Sequence, residues 1–154
     1  AYDDDNRAVL EFLKNHEACT GRLGSFGPCI GGHLTYRAAL LPEVAAAACF
    51  YPTDLHKRSL GKGMNDDSLA RVADIKGELM MVFGRQDPHV SDEGRALIYQ
   101  TLTTAGVKFT WHEFNAAHAF LRDEGLRYDA EIAREALGMT VDFFRRILGS
   151  PAGA

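Results

Sequence analysis

The sequence predicts an α/β protein of three layers, with a mainly parallel β-sheet covered by helices on both faces. Two observations carry that expectation. Compact apolar runs of strand length alternate with longer segments of helical periodicity, the order of successive βαβ units. Glycine, proline and capping residues stand at the joins between them. Length and composition agree: 154 residues, 46% hydrophobic and 25% charged, describe one globular domain.

Each element follows from local pattern. Asp4 or Asp5 can cap an opening helix whose apolar positions include Val9, Leu10, Phe12 and Leu13. Gly21 precedes a short strand, Arg22 to Phe26, and a glycine-rich turn leads into a second helix that stops before Pro42. Val44 to Tyr51 reads as a fully buried strand, although its alanine run also suits a helix. Pro52 to Lys76 is a polar excursion with one short helix near Leu69 to Val72. Glu78 to Phe83 is a strand closed by Gly84. Ser91 then caps a helix carrying Leu97, Ile98, Leu102 and Ala105, with Gly106 just beyond it. Lys108 to Phe114 is the next strand. The last helix, from about Asp129, repeats apolar residues at Ala133, Leu137, Val141, Phe144 and Leu148.

The first element is a helix, so the Arg22–Phe26 strand has no preceding strand to flank it. A parallel strand bare at an edge is unusual. The chain is therefore expected to be a single but partial domain, with an N-terminal half absent. Its partners would then include that half or a second copy of the chain.

Charge and cysteine content narrow the function. A net charge of -4 and a pI near 5.8 give no global attraction for nucleic acid or anionic membranes, and neither is expected as a partner. The most apolar stretch, Ala38 to Tyr51, is broken by Pro42 and Glu43 and falls short of the roughly 20 residues a span needs. The first residues, Ala1-Tyr2-Asp3-Asp4-Asp5, are acidic where a targeting peptide would be basic. Cys19, Cys29 and Cys49 are odd in number and show no C-x-x-C spacing, which argues against a disulfide scaffold or a zinc site and for the cytoplasm.

Gly27-Pro28-Cys29-Ile30-Gly31-Gly32 lies between a predicted strand and a predicted helix, and has the Gly-x-nucleophile-x-Gly form of a nucleophile elbow. Small neighbours let strand and helix approach across the strained turn. The nucleophile then projects at a helix N-terminus, where the dipole favours a thiolate. The backbone N–H of Ile30 can donate to an oxyanion. Taken alone, the hexapeptide reads equally as a glycine-rich turn around an inert, buried cysteine. No phosphate-loop spacing is present, and Gly61-Lys62-Gly63 follows no strand.

Two further residues raise the functional reading. Asp87 follows the Glu78–Phe83 strand and His118 follows the Lys108–Phe114 strand, so both stand on the rim of the sheet that carries Cys29. Nucleophile, acid, histidine is the chain order of α/β-hydrolase triads. In such a triad the imidazole takes the thiol proton and the acid fixes its tautomer.

The chain resembles the dienelactone hydrolase family of α/β-hydrolases. The resemblance lies in the segment Arg22 to His33, in Ala48-Cys49-Phe50-Tyr51, in Gly84-Arg85-Gln86-Asp87-Pro88-His89 and in His118-Ala119-Phe120-Leu121-Arg122. It implies an α/β-hydrolase fold and a carboxylic-ester hydrolase acting without a cofactor. It also implies Cys29 as nucleophile, Asp87 as acid, His118 as base and a small ester or lactone substrate. Arg122 stands where the family holds a substrate carboxylate, or is a solvated charge beside Asp123 and Glu124. Pro28 departs from the aromatic residue usual at that position.

Three other readings stay open on the sequence. A hydrolase-fold fragment could be catalytically silent and serve as a binding or assembly module. A low-pKa Cys29 could act as a redox sensor, given a resolving thiol nearby. A metal site from His112, His118 and Asp87 lacks any supporting spacing. His16, His33 and His56 are read as structural. Trp111, Phe114, Phe143 and Phe144 are read as core aromatics, and Lys57, Arg58 and Lys62 as solvated loop surface.

Overall fold

Four parallel strands form the centre of the computed structural model, which describes residues 2–61 and 66–149. They are β1 (Leu23–Pro28), β2 (Val44–Phe50), β3 (Glu78–Gly84) and β4 (Lys108–Phe114), hydrogen-bonded in the order β1-β2-β3-β4. The helices are α1 (Tyr2–Asn15), α2 (Ile30–Ala39), α3 (Asp92–Thr104) and α4 (Ala130–Leu148), with a 3₁₀ turn over Leu69–Asp74. Among the described residues, no helix is long and apolar enough to cross a membrane. Lys62, Gly63 and their part of the basic loop lie outside the described residues.

Both faces of the sheet are covered. On one, Tyr36 and Ala39 of α2 and Ile98 and Leu102 of α3 share a core with Ala47, Cys49, Leu79, Met81 and Phe83. On the other, Ala136 and Phe143 of α4 pack with Phe120 against Ala46, Ala48, Phe50, Met80 and Val82. This two-sided burial explains the unbroken apolar run of β2. Its alanines adopt a strand because β1 and β3 satisfy the backbone on both sides, and their small side chains let helices close in.

The structure moves several expectations. β1 starts one residue later than expected and runs on to Pro28. Proline is tolerated there, at the end of an edge strand. α1 begins at Tyr2, so Asp4 and Asp5 sit with Asp3 in its first turn, at the positive end of the dipole, rather than capping it. Leu10 packs towards the core, while Val9, Phe12 and Leu13 are exposed. α4 buries Ala133, Ala136, Thr140 and Phe143, leaving Leu137 and Val141 exposed. Ile132, Met139, Phe144, Ile147 and Leu148 pack partly buried beside that face. Leu97 is likewise exposed, and α3 turns Ile98 and Leu102 inward. The Ser91 cap stands as expected, accepting from the Gly94 N–H at 3.2 Å, and Asp129 also caps α4, accepting from the Ile132 N–H at 3.0 Å.

Among the described residues β1 pairs with β2 alone, and Phe26 and Ile30 beside it are each 45% exposed. A bare strand edge flanked by apolar side chains is a template for association. The chain is expected to scatter light as a species heavier than 16.9 kDa, and Phe26→Lys to shift it towards the monomer. A strictly monomeric unaltered chain at high concentration would contradict this.

Candidate active site

Cys29 stands between β1 and α2 with φ 61° and ψ -126°, a left-handed conformation that a side chain rarely adopts. The surroundings over-determine it. The Cys29 N–H donates to the Phe50 carbonyl at 3.0 Å, and the Cys29 carbonyl accepts from Gly32 at 2.9 Å and Thr53 at 3.4 Å. A Cβ on Gly27 would lie 2.3 Å from the Gly31 carbonyl oxygen, and one on Gly32 would lie 2.5 Å from the Phe50 oxygen. A Cβ on Gly31 would meet only the Pro28 ring, at an ordinary 3.6 Å. The steric demand thus falls on Gly27 and Gly32, not on the symmetric Gly27 and Gly31. Ile30 opens α2, so its N–H is among the first four that have no acceptor within the helix.

Asp87 and His118 reach the same rim from two other loops. Gly84 ends β3 where a Cβ would lie 2.4 Å from the Ala116 carbonyl oxygen, which brings the β3–α3 and β4–α4 loops together. The Gln86 N–H donates to that carbonyl at 3.0 Å. Asp87 Oδ2 lies 2.7 Å from His118 Nδ1, and Asp87 Oδ1 accepts from the His89 N–H at 2.7 Å. His118 Nε2 lies 3.3 Å from Cys29 Sγ. The carboxylate favours the proton on Nδ1, which leaves the Nε2 lone pair facing the thiol. Burial alone would push the Asp87 carboxyl up. The His118 ring and the His89 N–H outweigh it and hold the group below the usual carboxylate range.

Two residues that local pattern did not single out border the imidazole. The rings of Tyr51 and His89 meet that of His118 edge-on, with centroids 4.9 and 4.6 Å away. The Asp87–His89 turn is a legible signal, since an aspartate commonly accepts from the N–H two residues on. The contact of Tyr51 with His118 is tertiary. Arg122 is exposed and lines a cavity of about 570 Å³ with Ala119, Leu126 and Arg127. A larger cavity of about 750 Å³, between α3 and β4, contains none of these site residues.

Other candidates separate. Among the described residues, no three His, Cys, Asp or Glu side chains converge as metal ligands. All three cysteines are free, and Cys49 is fully buried, which pushes its thiol up and makes it inert. Trp111, Phe114 and Phe144 are only partly buried, and Phe143 alone of the four reaches the core.

The chain matches the dienelactone hydrolase family over residues 1–148. It is 46% identical over 155 aligned residues to a Saccharomyces cerevisiae protein provisionally assigned as carboxymethylenebutenolidase, covering 96% of this chain and 57% of that one. It is 26% identical to the carboxymethylenebutenolidase of Pseudomonas sp. strain P51, covering 93% and 56%. The chain therefore spans just over half the length of these relatives. Among solved structures, a provisionally assigned dienelactone hydrolase from Klebsiella pneumoniae superposes with a TM-score of 0.81 at 21% identity, covering 94% of this chain and 60% of that one. An acylaminoacyl peptidase from Pyrococcus horikoshii superposes at 0.77 and 16% identity, covering 99% and 28%. The architecture is that of the α/β-hydrolase fold.

Two measurements check the geometry. Gly27→Ala should cost about 1–3 kcal/mol in urea unfolding, because backbone rather than a flexible side chain must yield. The second is a pH dependence. Asp87 has its folded value below the ordinary 3.8, so its contribution is present above that value and lost as pH falls through the lower folded one. The stability difference between the unaltered chain and Asp87→Asn should therefore shrink between about pH 5 and pH 2.

Proposed function

The chain belongs to the dienelactone hydrolase family, and on that footing we propose that it hydrolyses a carboxylic ester or lactone through Cys29, His118 and Asp87. The observation that carries the reading is the continuous chain of contacts from Asp87 to His118 at 2.7 Å and from His118 to Cys29 at 3.3 Å. His118 Nε2 takes the thiol proton, and the Cys29 sulfur adds to the substrate carbonyl carbon. The carbonyl oxygen becomes an oxyanion opposite the Ile30 N–H, a donor of a kind worth about 3–4 kcal/mol. Collapse expels the alkoxide or enolate oxygen, which takes the proton from His118 and leaves an acyl-thioester. Water then gives a proton to His118 Nε2 and adds to the thioester carbon, and Cys29 leaves as thiolate. Asp87 holds the imidazole in the productive tautomer and stabilises its cation without itself taking the proton.

Dienelactone-type substrates bear a carboxylate, and the exposed guanidinium of Arg122 is the group proposed to meet it. No cofactor enters this scheme. Three free thiols, one of them the proposed nucleophile, suit a reducing compartment such as the cytoplasm. The open edge of β1 favours a second reading, in which this span acts as an assembly module and needs a partner on that edge before it turns over substrate.

Alkylation rate against pH tests the nucleophile. At neutral pH Cys29 should be alkylated ahead of Cys19 and Cys49. Ester hydrolysis should fall about 10²–10⁴-fold in His118→Ala and in Asp87→Asn, and should vanish in Cys29→Ala. Turnover retained in Cys29→Ala would assign the chemistry elsewhere. Turnover that appears only in a heavier complex would favour the assembly reading.

A further inference from the structure

One turn of α2 beyond Cys29, His33 is fully buried with both ring nitrogens engaged. Nδ1 lies 2.8 Å from the Thr53 carbonyl oxygen, which can only accept, so this nitrogen carries the proton. Nε2 lies 2.7 Å from Ser68 Oγ, itself fully buried, and 3.0 Å from Asp66 Oδ2. Arg37 Nη1 donates to Ser68 Oγ and to Asp66 Oδ1, each at 3.0 Å, and the Ser68 N–H donates to Asp66 Oδ1 at 3.0 Å. Burial pulls the His33 imidazole below its ordinary value, against the opposing pull of Asp66. The hydrolytic steps make no use of this cluster. A buried polar network is nonetheless costly unless its members are satisfied, and it holds together a unique arrangement.

What it holds is the segment that follows β2. The Thr53 N–H donates to the Cys29 carbonyl while the Thr53 carbonyl accepts from His33, so Thr53 is clamped to the elbow through both its backbone groups. Tyr51, two residues earlier, sits at φ 34°, with its N–H donating to the Val82 carbonyl at 2.6 Å. Its ring is 2% exposed and meets the His118 ring edge-on at 4.9 Å. A non-glycine residue stays in that left-handed region only while its surroundings hold it there. We propose that His33 is a positioning residue for the Cys29–His118 pair: by fixing Thr53 against α2 it keeps Tyr51 in its strained turn, and the Tyr51 ring sets the place of the imidazole beside the sulfur. The consequence for hydrolysis rests on the triad reading; the positioning itself does not.

The test uses two readouts on the unaltered chain and on His33→Leu, His33→Asn and Tyr51→Leu, each checked for folding by circular dichroism. The first is the low-field NMR signal of the His118 Nδ1 proton, which depends on the bond to Asp87 and not on any nucleophile. The second is the alkylation rate of Cys29 near neutral pH, with Cys19 as internal control. His33→Leu removes both ring bonds and should weaken the His118 signal and slow Cys29 about 10–100-fold, the scale of a small misplacement transmitted from outside the site. His33→Asn keeps a donor for the Thr53 carbonyl and should stay close to the unaltered chain. A folded His33→Leu with an unchanged His118 signal and unchanged Cys29 rate overturns the proposal, as does an equal loss in His33→Asn. Should His33→Leu fail to fold, Tyr51→Leu, which leaves the His33 bonds intact, must reproduce the loss alone; a normal His118 signal in it is equally fatal. If Cys29 of the unaltered chain is alkylated no faster than Cys19, the nucleophile reading fails, and the His118 signal still decides the role of His33.

Discussion

The close approach of backbone to backbone at the β1–α2 join is the constraint on which the rest of the site depends. Any side chain at Gly27 would drive into the Gly31 carbonyl, and any at Gly32 into the Phe50 carbonyl. Only with both absent can α2 start this near the sheet. That proximity places Cys29 in a left-handed turn at the start of α2, with its sulfur within 3.3 Å of His118. The glycines therefore act through space that must stay empty, a requirement on the fold before it is one on chemistry.

The same device recurs at Asp87 and His118. Gly84 lets the loop after β3 touch the loop after β4, so that Asp87 and His118, 31 residues apart, share a hydrogen bond. Parallel topology sends all these loops to one end of the sheet, and buried strands supply a rigid base for them. The buried acid is then kept ionised by two donors rather than by solvent. Behind the elbow, the His33–Ser68–Asp66–Arg37 network is a second polar cluster, tying α2 to the excursion between β2 and β3. Through the paired bonds from Arg37 to Asp3 it also reaches α1.

Much of this was legible in the residue order. The alternation of strands and helices, the cap at Ser91, the start of α4 near Asp129 and the β4 limits appear where the pattern puts them, because turn chemistry and capping are local. The placement of Cys29, Asp87 and His118 at strand ends was legible for the same reason. Helix faces were less so. Periodicity alone cannot tell which of two adjacent apolar stripes meets the sheet, and α4 seats itself on Ala133, Ala136, Thr140 and Phe143 because their size suits the spacing to β2 and β3. His33 read as an unremarkable helix residue, since its partners come from 20 and 35 positions away.

By itself the sequence determined which residues stand at the rim and what conformation each join must adopt, since glycine, proline and capping side chains act over a few bonds. Tertiary structure alone decided the distances: 3.3 Å from His118 to the Cys29 sulfur, 2.7 Å from Asp87 to His118, and the rings of Tyr51 and His89 against the imidazole. Those depend on how far helices sink onto a sheet. That depth is set by the packing of many side chains at once, and no short stretch of chain encodes it.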